Sequence, residues 1–245
     1  MSKHLLAVAI PTGDGWERTE VGNLRVEIAC TCLNDPEVAP YVIDTLHIPA
    51  QKFPTSVARN FIVDTCQKRG VDYLMMVDSD AWVKERTFKF FFTFLLAQPE
   101  PSVIGAPYVA GDGQVQVFHW TTPQVIKEPL ERFAITHIDR DLAQTKKGVE
   151  RVAAIGTHCL MFDMRVFSKV KKPYFSYGYN ADQTQCIETE DCWFMRNLFH
   201  EKVPVWVSWD HWARHWKTMP LEVVPSVALN EIPAYYLRKS KAFAE

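Results

Sequence analysis

Six consecutive apolar residues, Leu5-Leu6-Ala7-Val8-Ala9-Ile10, are closed by Pro11-Thr12-Gly13-Asp14-Gly15. That pattern predicts a buried strand feeding a loop. Residues 26–32 read as a second strand. After Pro54 the spacing becomes helical. From Thr55 or Ser56 onward, Val57, Ala58, Phe61, Ile62 and Cys66 fall on one face, and Arg69-Gly70 supplies the stop. Tyr73-Leu74-Met75-Met76-Val77 is again a short continuous apolar run and predicts a strand. A helix over residues 85–98 follows, then a strand over 102–108 with Gly105 and Pro107 at its exit. This β-α-β-α-β order predicts an α/β fold with an open, mostly parallel central sheet flanked by helices. Over residues 109–150 the pattern weakens into short polar and aromatic pieces and no element is predicted. Residues 152–162 read as a strand, 189–200 as a helix and 203–209 as a strand. Without internal repeats or a low-complexity linker, residues 1–245 are expected to form a single domain, with 217–245 as a C-terminal tail packing on it.

Composition adds the core. Apolar residues make up 47% of the chain and aromatics 13%, enough to fill two layers around a sheet and line a cleft. The formal net charge of -2 gives no general attraction to nucleic acid or to an anionic membrane. The short basic clusters at 146–147, 169–172 and 238–241 read as solvated surface. The six cysteines are scattered, without C-x-x-C spacing, as expected of core thiols in a reducing compartment. The first apolar run is shorter than the ~7–15 residues of a signal peptide's apolar region, and residues 88–97 fall below the ~20 needed to span a bilayer. A cytoplasmic protein with no membrane partner is expected.

The candidate chemistry begins at the end of the third apolar run, with Asp78-Ser79-Asp80. In open α/β sheets ligands bind beyond the carboxyl ends of the strands. Acids two residues apart in extended chain face one way and can share a hard divalent cation such as Mg2+ or Mn2+. A solvated acidic turn has the same local sequence. Further along, Thr189 followed by Glu190-Asp191 has the composition of a helix start, where acids are also favoured by the helix dipole. The segment 206–216 is rich in Trp and His and includes His211 and His215.

In their order these pieces resemble nucleotide-sugar glycosyltransferases of the A-type (GT-A) fold, near the large family-two group. The motifs are Ile10-Pro11-Thr12, Ala58-Arg59-Asn60, Asp78-Ser79-Asp80, Ile155-Gly156-Thr157, Thr189-Glu190-Asp191 and a late histidine, over roughly residues 5–217. The resemblance implies a metal-dependent transfer from a UDP- or GDP-sugar donor. It places Pro11 and Thr12 along the base and ribose, Arg59 toward the base or phosphates, and Asp78, Ser79, Asp80, Gly156 and Thr157 around the donor. Asp78, Asp80 and His215 would hold Mn2+ or Mg2+, with His215 preferred to His211 because of its distance from the acidic helix. Asp191, paired with Glu190, would be the general base of an inverting reaction. The sequence departs from the family at His158, where a second small residue is often found. That departure is expected to bear on sugar recognition and not on the metal.

Two other classes share these features. Phosphatases of the haloacid dehalogenase type also end a strand with D-x-D, though usually nearer the amino terminus and without a Trp such as Trp82 at the fifth position. A non-catalytic sugar- or nucleotide-binding module would keep the pocket without needing Asp191. The acceptor, whether a small molecule, a glycan, a protein or a modified nucleic-acid base, is expected to be chosen by residues 109–150.

Overall fold

A computed structural model describes residues 3–12, 17–51, 54–110, 113–120 and 135–216. The chain opens with strand β1 (His4–Thr12), helix α1 (Thr19–Asn34), a 3-10 turn at Ala39–Tyr41, β2 (Val42–Gln51), α2 (Thr55–Lys68) and β3 (Tyr73–Val77). The two-residue β4 (Ala81–Trp82), α3 (Glu85–Leu96), β5 (Val103–Gly105), β6 (Val117–Trp120), β7 (Ile135–His137) and α4 (Arg140–Thr145) come next. After them come β8 (Val149–Val152), β9 (Ala154–Ile155), β10 (Cys159–Asp163), α5 (Val166–Lys169), β11 (Gly178–Tyr179) and β12 (Cys186–Glu188). The described chain ends with α6 (Glu190–His200), β13 (Val205–Ser208) and β14 (Arg214–His215).

Seven strands form the central sheet, in the order β2-β1-β3-β10-β5-β13-β8. Strands β1, β2, β3, β5 and β13 run one way, and β10 and β8 run the other. The sheet is therefore mostly parallel and flanked by helices, a Rossmann-like α/β layer structure. Alternation along the strands divides the core in two. Ala7, Ala9, Leu74 and Met76 pack with Ala58, Ile62, Val63 and Cys66 of α2. Leu6, Val8, Met75 and Val77 pack with Val21, Leu24 and Ile28 of α1 and with Phe88, Phe91 and Phe92 of α3. All five residues of β3 are buried, which is why it reads as an unbroken apolar run.

Four expectations are revised. Residues 26–32 lie inside α1, whose buried Val21, Leu24, Ile28 and Cys32 keep helical spacing; the alternation of Val26 and Ile28 with polar neighbours only imitates a strand. The second strand is β2, paired among the described residues with β1 alone at the sheet edge, a position that tolerates its Pro49 and polar residues. The α2 stripe is rotated from the expected face, burying Ser56 and Arg59 and leaving Val57 and Phe61 exposed. Residues 152–162 are not one strand. Strand β8 closes the sheet edge, β9 joins β6 and β7 in a small separate sheet, and β10 enters the middle of the main one. Helix α2 ends as expected, with Gly70 in the left-handed region at φ 68° and the amide of Val71 bonded back to the Cys66 carbonyl at 3.0 Å. Part of the 109–150 segment and the 217–245 tail lie outside the described residues. Among the described residues, no helix is long and apolar enough to cross a membrane.

Candidate functional site

Strand pairing brings the candidate residues together. Strand β10 runs antiparallel to β3 with Cys159 opposite Val77, so the turn Gly156-Thr157-His158 lies across from Asp78. The Asp78 amide donates to the His158 carbonyl at 2.9 Å, and the Ala81 amide donates back to the Asp78 carbonyl at 2.9 Å. Strand β14 pairs with β4 with His215 opposite Ala81, and the Trp216 amide donates to the Asp80 carbonyl at 2.8 Å. Helix α6 begins with Glu190 and Asp191.

Asp80, His158 and His215 each offer a ligand atom within 4.8 Å of the others. The Asp80 Oδ2 lies 3.2 Å from His215 Nε2, and its Oδ1 lies 4.0 Å from His158 Nδ1. Tyr108 stacks on His158 at 4.4 Å between centroids and meets His215 edge-on at 5.6 Å, holding the two rings 4.2 Å apart. Oxygen and imidazole donors in this arrangement suit a divalent transition-metal cation. His158 is only 3% exposed, and its Nε2 is buried with no hydrogen-bond partner among the described residues. Contrary to expectation, it lies within the group of side chains that could hold a metal ion. Asp78 lies beside this group and not in it: Oδ1 accepts from Arg59 Nη2 at 2.8 Å, and Oδ2 lies 3.2 Å from His158 Nδ1. Burial would raise its carboxyl, but Arg59 and the His158 hydrogen bond outweigh burial and hold it below the usual range. His211 is elsewhere, stacked on Phe90 at 4.6 Å with Nδ1 2.7 Å from the Ser208 hydroxyl.

Arg59 is an interior cation, 2% exposed. Its Nη1 donates to the Thr157 carbonyl at 3.4 Å, and its Nε, without a hydrogen-bond partner among the described residues, lies 3.8 Å from Glu190 Oε1. Burial opposes its charge, but Asp78, Glu190 and Asp191 together keep it protonated. Burial raises the Glu190 carboxyl; Arg59 opposes the rise and Asp191 adds to it. Burial also pushes the Tyr177 phenol up to about 12, with Glu190 beside it. Asp191 Oδ1 accepts from its neighbour's amide, Cys192 N, at 2.9 Å and from the Thr189 hydroxyl. Asn60, named in the Ala58-Arg59-Asn60 motif but given no role there, fastens this side of the site. Its Oδ1 accepts from the amides of Tyr174 and Phe175 at 3.0 and 3.2 Å, and its Nδ2 donates to the Phe175 carbonyl at 2.7 Å.

The remaining residues lie around this centre. Pro11 and Thr12 are buried at the carboxyl end of β1, with the Thr12 hydroxyl 3.5 Å from the Ala50 carbonyl. The Ser79 carbonyl accepts from the Arg18 amide at 3.2 Å, and the Arg18 guanidinium lies over the Trp216 ring at 4.4 Å. Gly156 makes room for an aromatic ring, since a Cβ there would fall 2.8 Å from Tyr108 Cε1. A cavity of about 180 Å³ beside Thr12 is lined by Glu17, Arg25, His47 and Gln51. A larger one of about 620 Å³, between His4, Asp72, Tyr73, Asp163 and Arg165, opens at the opposite end of the sheet and touches none of the site residues.

No protein-family model matches the chain, and no curated protein matches it. Among solved structures it is similar to A197 from STIV, with a TM-score of 0.53 and 14% identity over 89% of this chain and 87% of that one. It is also similar to GalNAc-T7 crystallised with UDP, GalNAc and Mn2+, with a TM-score of 0.48 and 11% identity over 89% of this chain and 44% of that one. At such identities the likeness to A197 is one of fold alone, and the function has to be argued from the side chains.

Proposed function

We propose that the chain is a cation-dependent glycosyltransferase that moves a sugar from a UDP- or GDP-sugar onto a hydroxyl acceptor. The observation that carries this reading is the gathering of separate motifs at one end of the sheet: Asp78 and Asp80 after β3, Gly156 to His158 before β10, Glu190 and Asp191 at the start of α6, and His215 on β14. Sites of open α/β sheets form at that end. Asp80 and His215 would hold Mn2+ or Mg2+ with Asp78 close by, and the ion, when bound, offsets charge on the departing diphosphate. Pro11, Thr12, Ser79, Gly156 and Thr157 border the space where base, ribose and sugar would lie. Arg59, being buried, contributes to donor binding by fixing Asp78 and not by an exposed phosphate contact.

Asp191 is the proposed base. At the half-buried first turn of α6 it can receive the proton of an acceptor hydroxyl as that oxygen attacks the anomeric carbon. Glu190, turned inward between Arg59 and Tyr177, holds that turn in place. Calorimetry of UDP and GDP with and without Mn2+, followed by donor-cleavage assays, tests the reading. Nucleotide binding should require the cation and weaken in Asp80→Ala. Asp191→Asn should keep nucleotide binding while turnover falls by about 10²- to 10⁴-fold. Binding indifferent to EDTA, or cleavage of phosphomonoesters instead of sugar nucleotides, would overturn it.

A further inference from the structure

We propose that the cation is held by one carboxylate and two imidazoles, Asp80, His158 and His215, with Asp78 outside the ligand set, so that the site prefers Zn2+, Co2+ and Mn2+ to Mg2+. The assignment rests on the side chains and not on the transfer reaction.

Both oxygens of Asp78 are already engaged, Oδ1 by Arg59 at 2.8 Å and Oδ2 by His158 at 3.2 Å. Drawing this carboxylate onto an ion would strip a 2%-exposed guanidinium of its shortest contact and set a second cation beside it. Asp78 has instead the place of an outer carboxylate that accepts a hydrogen bond from a ligating histidine and fixes its ring. His158 has the complementary features. It is 3% exposed, stacked on Tyr108, and left with a buried ring nitrogen that bonds to nothing among the described residues. A buried polar atom without a partner is costly, and a bound ion removes that cost by taking up the imidazole.

Spacing agrees. Donor atoms at about 2.0–2.2 Å from one ion stand about 3–4 Å apart; Asp80 Oδ2 lies 3.2 Å from His215 Nε2, and one ligand atom each of Asp80, His158 and His215 lie within 4.8 Å of one another. Chemistry then sets the preference. Mg2+ favours oxygen ligands in near-ideal octahedra and keeps its waters, whereas imidazole suits Zn2+ and the later first-row ions.

The test uses the full-length chain stripped with chelator, without nucleotide. Co2+ is titrated by its visible absorption, and Zn2+, Mn2+ and Mg2+ compete for it. Zn2+ should displace Co2+ most effectively, Mn2+ less so and Mg2+ least. His158→Ala should weaken Co2+ binding by at least about 10- to 100-fold, with folding checked by circular dichroism. The spin-echo spectrum of the Mn2+-loaded wild type should show two coupled nitrogens, and this result decides the matter even if the variant does not fold. One coupled nitrogen, or Mg2+ competing as well as Zn2+, would overturn the assignment. Either result leaves the glycosyltransferase reading to be judged on nucleotide binding.

Discussion

Glu190 stands between opposing influences, and the balance has a measurable consequence. Burial and the neighbouring Asp191 favour its protonated form, Arg59 favours the carboxylate, and the outcome is a carboxyl raised above its ordinary value. A group that holds its proton more tightly when folded favours the folded state at low pH. This contribution is lost as pH rises from the unfolded value through the folded one. Glu190→Gln removes the titration, so the variant should gain stability relative to wild type over the range that begins at the ordinary Glu value of about 4.3 and extends upward. Urea midpoints of both proteins across that range check it, and a difference that ignores pH would show that Glu190 ionises normally. Arg59 illustrates how a residue can be found but its surroundings missed. Its place near a helix start pointed to the site, while its near-complete burial followed from β10 entering beside β3, a long-range event that the helix's own periodicity does not record.

At the level of elements, the turn between β9 and β10 carries more of the site than any other segment. It presents the Thr157 carbonyl to Arg59 and the His158 ring to Asp78 and Asp80, and it accommodates Tyr108 over Gly156. Gly156→Ala should displace the Tyr108 ring and cost about 1–3 kcal/mol, the usual range for overpacking a close-packed site. Chemical denaturation measures the loss, and an unchanged midpoint would mean that the ring can move aside freely. The elements β1, α2 and β3, made by continuous apolar runs or helical spacing, were legible in the sequence as elements, although the face that α2 buries was not. Helix α1 was not, since a β-branched stretch inside it alternates like a strand. Strand β2 was hidden by its edge position, where polar side chains and a proline are tolerated. His158 was noticed only as a departure from the family, because the partner that gives it meaning, His215, lies on a strand 57 positions further on.

Across the whole molecule, layering sets the six cysteines at three depths, with Cys192 intermediate. Cys30 and Cys186 are exposed, whereas Cys32, Cys66 and Cys159 are buried. Burial pushes the Cys32 thiol up to about 11 and that of Cys66 up to about 12, and it raises Cys159 as well. Thiolate is the reactive form, so a thiol reagent should modify Cys30 and Cys186 promptly in the native protein, Cys192 slowly, and all six after denaturation. Prompt modification of the buried three would show that the sheet layers open readily. The sheet order bears equally on how the protein is made. Strand β10 is inserted between β3 and β5, which precede it in the chain, and β5 also waits for β13. During synthesis from the amino end, β3 therefore emerges from the ribosome with one edge unpaired, and β5 with both. Non-local pairing of this kind is slow, and open strand edges invite aggregation. The nascent chain needs shielding until residues 159–163 emerge, and full pairing of β5 waits for 205–208. A polypeptide halted before its last third would hold both aspartates of Asp78-Ser79-Asp80 yet could not assemble the pocket around them.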